Sequence, residues 1–359
     1  MVLLRELEIR DLRNIRHAGV ELHPALNVFV GRNAQGKTSL LEAVGLIARG
    51  RSFRTDDTPA LIRRGASALL ARTSAATTSR DTALEVELQR GKRWLRVDGH
   101  EVPARDYHGR LEVVVYSTDR LRVARGSMRE RRLFLDRGGS ALWPSYRRAV
   151  RDFERVLAQR NVALAERRRD LGAWSERFVE LGACLRARRA VYVERLRHAM
   201  EARRGFRPSG EVYDLRLPTA PDNASEDAQR EALASALERA RPQEDRAGRS
   251  LVGPHRDEVA LTVDGHDAAD GASAGQARSL LLALALATLA VHREETGEPA
   301  VALLDDLDSE LDEERADQLC AEVVARGQAL VTTAHPAWAE RLARHGRLFE
   351  VSGGDVRCA

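Results

Sequence analysis

Leu26-Asn27-Val28-Phe29-Val30 runs directly into Gly31-Arg32-Asn33-Ala34-Gln35-Gly36-Lys37-Thr38, and apolar residues at helical spacing follow from Ser39 to Ala48. An apolar run without alternation reads as a strand buried on both faces. The loop after it matches GxxxxGK[ST]. In strand–loop–helix order, the loop amides and the helix N-terminus form a nest for phosphate oxygens. Gly31 and Gly36 allow the tight curvature, and Lys37 neutralises phosphate charge. Thr38 offers its hydroxyl to Mg²⁺. Residues Gly31, Arg32, Asn33, Ala34, Gln35, Gly36, Lys37, Thr38 and Ser39 are therefore the expected ATP-binding set. Composition supports this. The chain has only two lysines, Lys37 and Lys92, against a background of arginine. A compact ammonium fits between phosphates and loop backbone where a planar guanidinium does not.

Farther along, Val301-Ala302-Leu303-Leu304 is an apolar strand ending in Asp305-Asp306. This is a Walker B pattern. Asp305 is placed to reach the Mg²⁺ shell with Thr38, and Asp306 to polarise the attacking water as general base alongside Lys37. Aspartate is one methylene shorter than the usual glutamate at that position, which predicts slow hydrolysis. Between the two motifs lies Ser273-Ala274-Gly275-Gln276, ahead of an apolar helix from Ala277 to Arg293. By itself this is an N-cap. Its place between P-loop and Walker B, with Ser309-Glu310-Leu311-Asp312 beyond, resembles the motif order of ABC ATPases. There the signature of one subunit completes the ATP site of another. An ATP-dependent homodimer follows from that resemblance. Val331-Thr332-Thr333-Ala334-His335 occupies the region of the ABC switch histidine. Thr333 aligns with the slot and His335 falls two residues late, so both stay open.

The remaining sequence predicts an α/β chain with an inserted helical part. Residues 67 to 115 read as a strand meander with turns at Arg90-Gly91-Lys92 and Asp98-Gly99. Leu111 to Tyr116 reads as another buried strand. From about residue 123 helical periodicity takes over. Tyr146 to Arg169 and Trp174 to Arg203 form an expected antiparallel pair broken at Leu171-Gly172-Ala173, and a third helix spans 225 to 241. Strand signals return at Val259 to Val263, ending in Asp264-Gly265. The expected organisation is an ABC-type P-loop ATPase lobe with a mixed β-sheet (1–122 and 246–359) carrying an α-helical arm (123–245).

Composition adds limits. The chain has 359 residues, 31% charged and 4% aromatic, with net charge +4. That balance permits an anionic partner without demanding one. Cys184, Cys320 and Cys358 lack the spacing of a disulfide framework or zinc site, and the first two suit buried helix positions. The longest apolar run, Leu280 to Val291, is shorter than the about 20 residues a membrane span needs. No membrane partner and a cytoplasmic location are expected.

Several segments together resemble the RecF family, DNA-repair ATPases of the SMC-like branch of the ABC superfamily. They are Leu12-Arg13-Asn14-Ile15, Gly31 to Thr38, Gly50-Arg51-Ser52-Phe53-Arg54-Thr55 and Arg131-Arg132-Leu133-Phe134-Leu135-Asp136. Gly253-Pro254-His255-Arg256-Asp257, Ser273 to Gln276, Leu304-Asp305-Asp306 and Ser309 to Asp312 complete the set. The short insertion distinguishes this family from SMC proteins with long coiled coils. The resemblance implies ATP and Mg²⁺ as cofactors, and a weak ATPase used as a switch. It implies binding to duplex–single-strand junctions of gapped DNA during repair and replication. RecR, RecO and RecA are its implied partners. After Tyr116 the family often has proline and glutamate, whereas Ser117-Thr118-Asp119 stands here, leaving the Q-loop residue open. The alternatives are an SMC-like nuclease, or an ABC-type ATPase without gap specificity. Candidate DNA contacts are Arg147, Arg148, Arg151 and Arg155, then Arg186, Arg188, Arg189, Arg195 and Arg197. Arg51, Arg54, Arg63 and Arg64 near the P-loop are further candidates. Such rows either track phosphates or form a solvated face paired with Glu154, Glu166, Glu176 and Glu180.

Overall fold

The computed structural model describes residues 3–76, 81–89, 91–203, 210–218, 225–307 and 313–359. Two compact units emerge: Met1–Arg120 with His292–Ala359, and Leu121–Val291.

The first unit opens with β1 (Leu3–Leu12), β2 (Ile15–Glu21) and β3 (Leu26–Val30), followed by α1 (Lys37–Arg49). Next come β4 (Ala68–Ala76), β5 (Asp81–Gln89), β6 (Lys92–Val97), β7 (His100–Glu101), α2 (Ala104–Tyr107) and β8 (Val113–Tyr116). Strands β2-β1-β4-β5-β6-β7 form one antiparallel sheet. In β1 a register shift between Leu4 and Glu6 lets Leu4 and Leu7 both face the core despite their odd spacing. The expected Asp98-Gly99 turn closes β6 onto β7, with both residues at positive φ (51° and 79°), the geometry of a two-residue hairpin. Arg90, at the other expected turn, lies outside the described residues.

The second unit contains α3 (Arg122–Arg125), α4 (Met128–Leu142), α5 (Pro144–Ala165), α6 (Leu171–Glu201), β9 (Tyr213–Arg216), α7 (Glu226–Ala247), β10 (Ala260–Val263) and β11 (His266–Asp267). Helix α8 (Ala274–Thr296) carries the chain back to the first unit. The inserted unit starts close to the expected residue 123 but runs to Val291 instead of ending at 245. The reason is pairing. The segment after 245 contains β10, which is hydrogen-bonded between β9 and β11 in a small sheet.

Two helix boundaries also differ from expectation. Leu171, Gly172 and Ala173 begin α6 instead of separating the helices, and the chain turns earlier, with Arg167 at φ 51°. Helix α7 passes through Pro242 and ends at Gly248, where a left-handed backbone (φ 63°) stops it. Ser225 caps its start by accepting the Ala228 N–H. The proline does not terminate the helix because the next turn is anchored. Glu244 is fully buried and accepts from Arg160 Nη2 at 2.6 Å and from the Leu251 amide at 2.7 Å.

Helices α5 and α6 do lie antiparallel. Phe153 packs on Phe178 with ring centroids 5.1 Å apart, and Trp143, at the start of α5, meets Tyr192 near the end of α6. For two of the α6 arginines neither expected reading, a phosphate contact or a solvated face, holds. Arg186 is buried against Asp257, and Arg189 is buried against Asp136 (2.9 Å) and the Pro254 carbonyl (3.0 Å). Burying an arginine without a carboxylate is expensive, so these two lock α6 to α4 and to the Gly253–Asp257 loop. Arg147, Arg188, Arg195 and Arg197 also have partners within the unit: the Ser140 carbonyl, Ser145, the Trp143 ring, and Asp214 with Glu194. The acids expected to neutralise the arm are mostly different ones; of the four, Glu166 meets Arg168 and Glu180 meets Arg177.

Returning to the first unit, the chain forms β12 (Val301–Leu304), α9 (Glu313–Val324), β13 (Ala329–Thr333), α10 (Pro336–Ala343), β14 (Gly346–Ser352) and β15 (Asp355–Cys358). The second six-stranded sheet runs β15-β14-β3-β13-β12-β8. Every neighbour pair is parallel except β14 with β15. That explains why β3, β8, β12 and β13 are buried at every position. The two sheets and α1 enclose one core, in which Phe29 stacks on Phe349 at 5.0 Å. The mixed sheet thus matches the expected fold class.

Helix α8 has 23 residues and is long and apolar enough to cross a membrane, although its apolar run was expected to be too short. Two-thirds of its most apolar window is nevertheless buried inside the protein (67%), as in a core helix. Cys320 is buried, Cys184 half-buried and Cys358 exposed, and all three are free.

Candidate nucleotide site

The loop between β3 and α1 is built by close backbone approach. A Cβ on Gly31 would sit 2.2 Å from the Val351 carbonyl oxygen on β14, so only glycine fits there. Gly36, at φ 114°, turns the chain into α1. Asn14 Nδ2 donates to the Gln35 carbonyl at 3.0 Å, and the Gly354 and Gly353 amides donate to Gln35 at 3.0 and 2.7 Å. The loop is therefore held from two sides by segments far away in sequence.

Lys37 is buried, and its Nζ donates to the Gly31 and Arg32 carbonyls at 2.6 and 3.1 Å. The ammonium thus lies on the loop backbone, where a phosphate oxygen would also find it. Thr38 Oγ1 donates to Asp305 Oδ1 at 3.0 Å across 267 residues of sequence. Neighbouring parallel strands explain this meeting. Strand β12 delivers Asp305 at its C-terminal end, and β3 delivers the loop, with β13 between them.

Thr332, fully buried at the end of β13, joins the two acids. Its hydroxyl donates to Asp305 Oδ1 at 2.7 Å and accepts from the Asp306 amide at 2.9 Å. Asp306 has φ 58°, a left-handed conformation uncommon for a residue with a side chain. The Thr332 bond holds the backbone at that kink. Burial pushes the Asp305 carboxyl above its ordinary value, and the nearby Asp306 charge pushes the same way; hydrogen bonds from Thr332 and Thr38 and the charge of Arg54 oppose this. With a raised folded value, this group weakens the fold as pH climbs from the ordinary carboxylate range through that value. A cation at the carboxylate would relieve the cost.

A cavity of about 330 Å³ collects these groups. Of the expected nucleotide, metal and catalytic residues, Asn33, Ala34, Gly36, Lys37, Thr38, Ser39, Asp305 and Asp306 line it, and Gly31, Arg32 and Gln35 do not. Asn14, Arg54, Thr118, Asp119 and Thr332 line it too, and sequence reasoning did not assign them to the nucleotide. All five fall within segments whose sequence stands out for other reasons, but none of those patterns marks them for the nucleotide. Arg54 donates from Nε to Asp119 at 2.9 Å and lies 3.6 Å from the buried Glu42. Glu42 is held by a two-pronged contact from Arg13 at 2.9 and 3.0 Å. Of the other arginines near the P-loop, Arg63 is paired with Asp11 at 2.6 Å. His335 is exposed at the start of α10, and Thr333 is buried. Neither lines the cavity.

Among the described residues no cluster of three or more His, Cys, Asp or Glu could hold a metal by itself. Mg²⁺ does not require one. It takes one or two carboxylates, a hydroxyl and phosphate oxygens, and Thr38 and Asp305 fit that donor set. Ser273-Ala274-Gly275-Gln276 belongs to the second unit. Ser273 Oγ accepts the Gln276 amide at 3.2 Å, and Gln276 Oε1 accepts the Ser273 amide at 2.9 Å. This reciprocal capping box starts α8. Ser309 to Asp312 lies outside the described residues.

A family model described as RecF/RecN/SMC N terminal domain matches residues 3–355. A curated relative, the DNA replication and repair protein RecF of Symbiobacterium thermophilum, is 37% identical over 98% of this chain and 97% of its own. The protein of the same description from Gloeobacter violaceus is 37% identical over 93% and 92%. Among solved structures, the recombination mediator protein RecF with ATP, of the RecFOR pathway, superposes with a TM-score of 0.90. It shares 26% identity and covers 100% of this chain and 99% of that one. An Smc head domain of Pyrococcus furiosus has a TM-score of 0.60 at 14% identity, with coverage of 100% and 96%, which is likeness of fold.

Proposed function

The chain belongs to the RecF family of SMC-like ABC ATPases, and we propose that it is an ATP-switched DNA-binding protein of recombinational repair. The observation that carries this reading is the meeting of Lys37, Thr38, Asp305 and Asp306 around one cavity. Loop lysine, loop threonine and both strand-end acids face one another there, which supports reading it as the P-loop half of an ATP site. On binding ATP, the amides of Gly31 to Ser39 receive the phosphates, and Lys37 exchanges its carbonyl partners for phosphate oxygens. Thr38 and Asp305 would hold Mg²⁺, which would neutralise charge on the phosphates. Asp306 orients and deprotonates the attacking water, and its short side chain keeps turnover slow. Ser273 to Gln276 of a second copy closes the site, so ATP acts as the glue of a homodimer that grips DNA. The dimer favours gapped DNA with duplex–single-strand junctions, and with RecO and RecR it helps load RecA. Hydrolysis releases it.

The test is binding to a gapped duplex over a salt series, with and without ATP and Mg²⁺. The expected result is ATP-dependent binding that weakens with salt, absent in Lys37→Arg. ATP-dependent binding that persists in Lys37→Arg would refute the assignment.

A further inference from the structure

A groove of about 610 Å³ runs between α6 and α7, wholly within the second unit. Its α7 wall is the stripe Arg230, Ala234, Leu237, Glu238 and Arg241. These recur at helical spacing on one face, and the stripe covers about 16 Å, or three turns. The α6 wall is Glu176, Val179 and Glu180, with Ser175 beside them. Leu237 belongs to the buried cluster around Phe153 and Phe178, and Val179 packs on that cluster. Ala234 is half-buried, and its short side chain leaves the groove open at mid-length. The floor is therefore apolar and the edges are charged.

The edge charges do not cancel. Arg230 pairs with Glu226 at 3.7 Å, Arg241 with Asp245 at 2.9 Å, and Glu180 with Arg177, each on its own helix. Glu176 and Glu238 are exposed, and neither has a partner among the described residues. One stands on each wall. Two unpaired carboxylates repel phosphates, so nucleic acid does not suit this groove. A cationic side chain satisfies them while apolar groups beside it cover the floor. A short amphipathic helix laid into a groove presents that combination.

We propose that this groove docks a cationic amphipathic helix of a partner protein, about three turns long. Its lysines or arginines meet Glu176 and Glu238, and its aliphatic side chains cover Val179, Ala234 and Leu237. The site goes beyond the ATP-switch reading and does not rest on it, since none of its residues lines the nucleotide cavity.

The probe is a fluorescent synthetic helix of about 15 residues with leucines on one face and lysines on the other. A second helix carries glutamate at every lysine position. Anisotropy is read with the full chain as wild type, as Glu176→Arg/Glu238→Arg, and as Glu154→Arg/Glu231→Arg, which makes the same change in net charge outside the groove. The chain is net positive (+4), so overall charge does not draw a cationic peptide to it. Wild type is expected to bind the lysine helix and not the glutamate helix. The groove variant is expected to bind the lysine helix about tenfold more weakly or worse, and the outside variant like wild type. Equal affinity in all three proteins, an equal loss in both variants, or a wild type that binds neither helix or both alike overturns the proposal. The comparison of the two helices on wild type needs no variant to fold. Size exclusion without ATP checks the other occupant: a concentration-dependent dimer lost only in the groove variant would assign the groove to a second copy and overturn the proposal too.

Discussion

Thr332 does at one atom what no local motif announces. Its hydroxyl bonds one acid of the Walker B pair and the backbone of the other, so it sets both the aim of Asp305 and the kink at Asp306. Thr332→Val keeps shape and volume and removes both bonds. ATP affinity, which rests mainly on the loop amides and Lys37, should change little. Turnover should fall roughly tenfold or more, equivalent to about 1.4 kcal/mol of barrier. Thr332→Ser should restore most of it. Steady-state ATPase kinetics separate the cases, and equal turnover in Thr332→Val and wild type would remove Thr332 from the mechanism. Lys37, Thr38 and Asp305 were legible in the sequence because each belongs to a contiguous pattern whose chemistry demands that residue type. Thr332, Arg54, Asp119 and Asn14 were not assigned, because each reaches the cavity from a separate segment. Only the parallel order of β3, β13, β12 and β8 brings most of those segments together.

At the scale of elements, strands and tight turns read well, and arm arginines read poorly. Alternation and Asp-Gly pairs are local signals, so Asp98-Gly99 and Asp264-Gly265 both gave hairpins at the expected places. An arginine on a helix carries no local mark of whether its partner is a phosphate or a carboxylate over 50 residues away. Arg160 shows the consequence. It is fully buried, with Glu244, Ser250 and Ser175 as acceptors at 2.6, 2.6 and 3.1 Å, over the Phe178 ring. This one side chain ties α5, α6, α7 and the following loop together. Arg160→Ala strands the Glu244 carboxylate in the interior and should cost about 3–5 kcal/mol. The double variant Arg160→Met/Glu244→Leu leaves no charge unpaired and should recover a large part of that loss. Urea unfolding of the three proteins checks this, and a double variant no more stable than Arg160→Ala would show that the network contributes more than charge compensation.

For the whole molecule, the decisive question is whether each ATP site takes half its groups from a second copy, and Gly275 offers a clean test. Among the described residues a Cβ there would meet nothing nearer than the Ser273 hydroxyl at 3.9 Å, and its backbone is not left-handed. Packing among the described residues therefore does not require glycine at 275. A ligand approaching from outside does, if the Ser273–Gln276 amides are to reach a phosphate. Gly275→Arg should fold and bind a fluorescent ATP analogue with wild-type affinity, yet fail to dimerise on ATP in size exclusion. Lys37→Arg fails for the opposite reason, with a sound signature and a damaged loop. Mixing the two inactive variants creates heterodimers. One site in each then combines the intact loop of the Gly275→Arg chain with the intact signature of the Lys37→Arg chain. The mixture should regain ATPase activity that neither variant has alone, up to roughly a quarter of wild type if copies pair at random and each intact site works independently. A site completed within one chain cannot be rescued this way. Absence of recovery, with both variants folded, would place the signature outside the ATP site and leave α8 with a simple capping box.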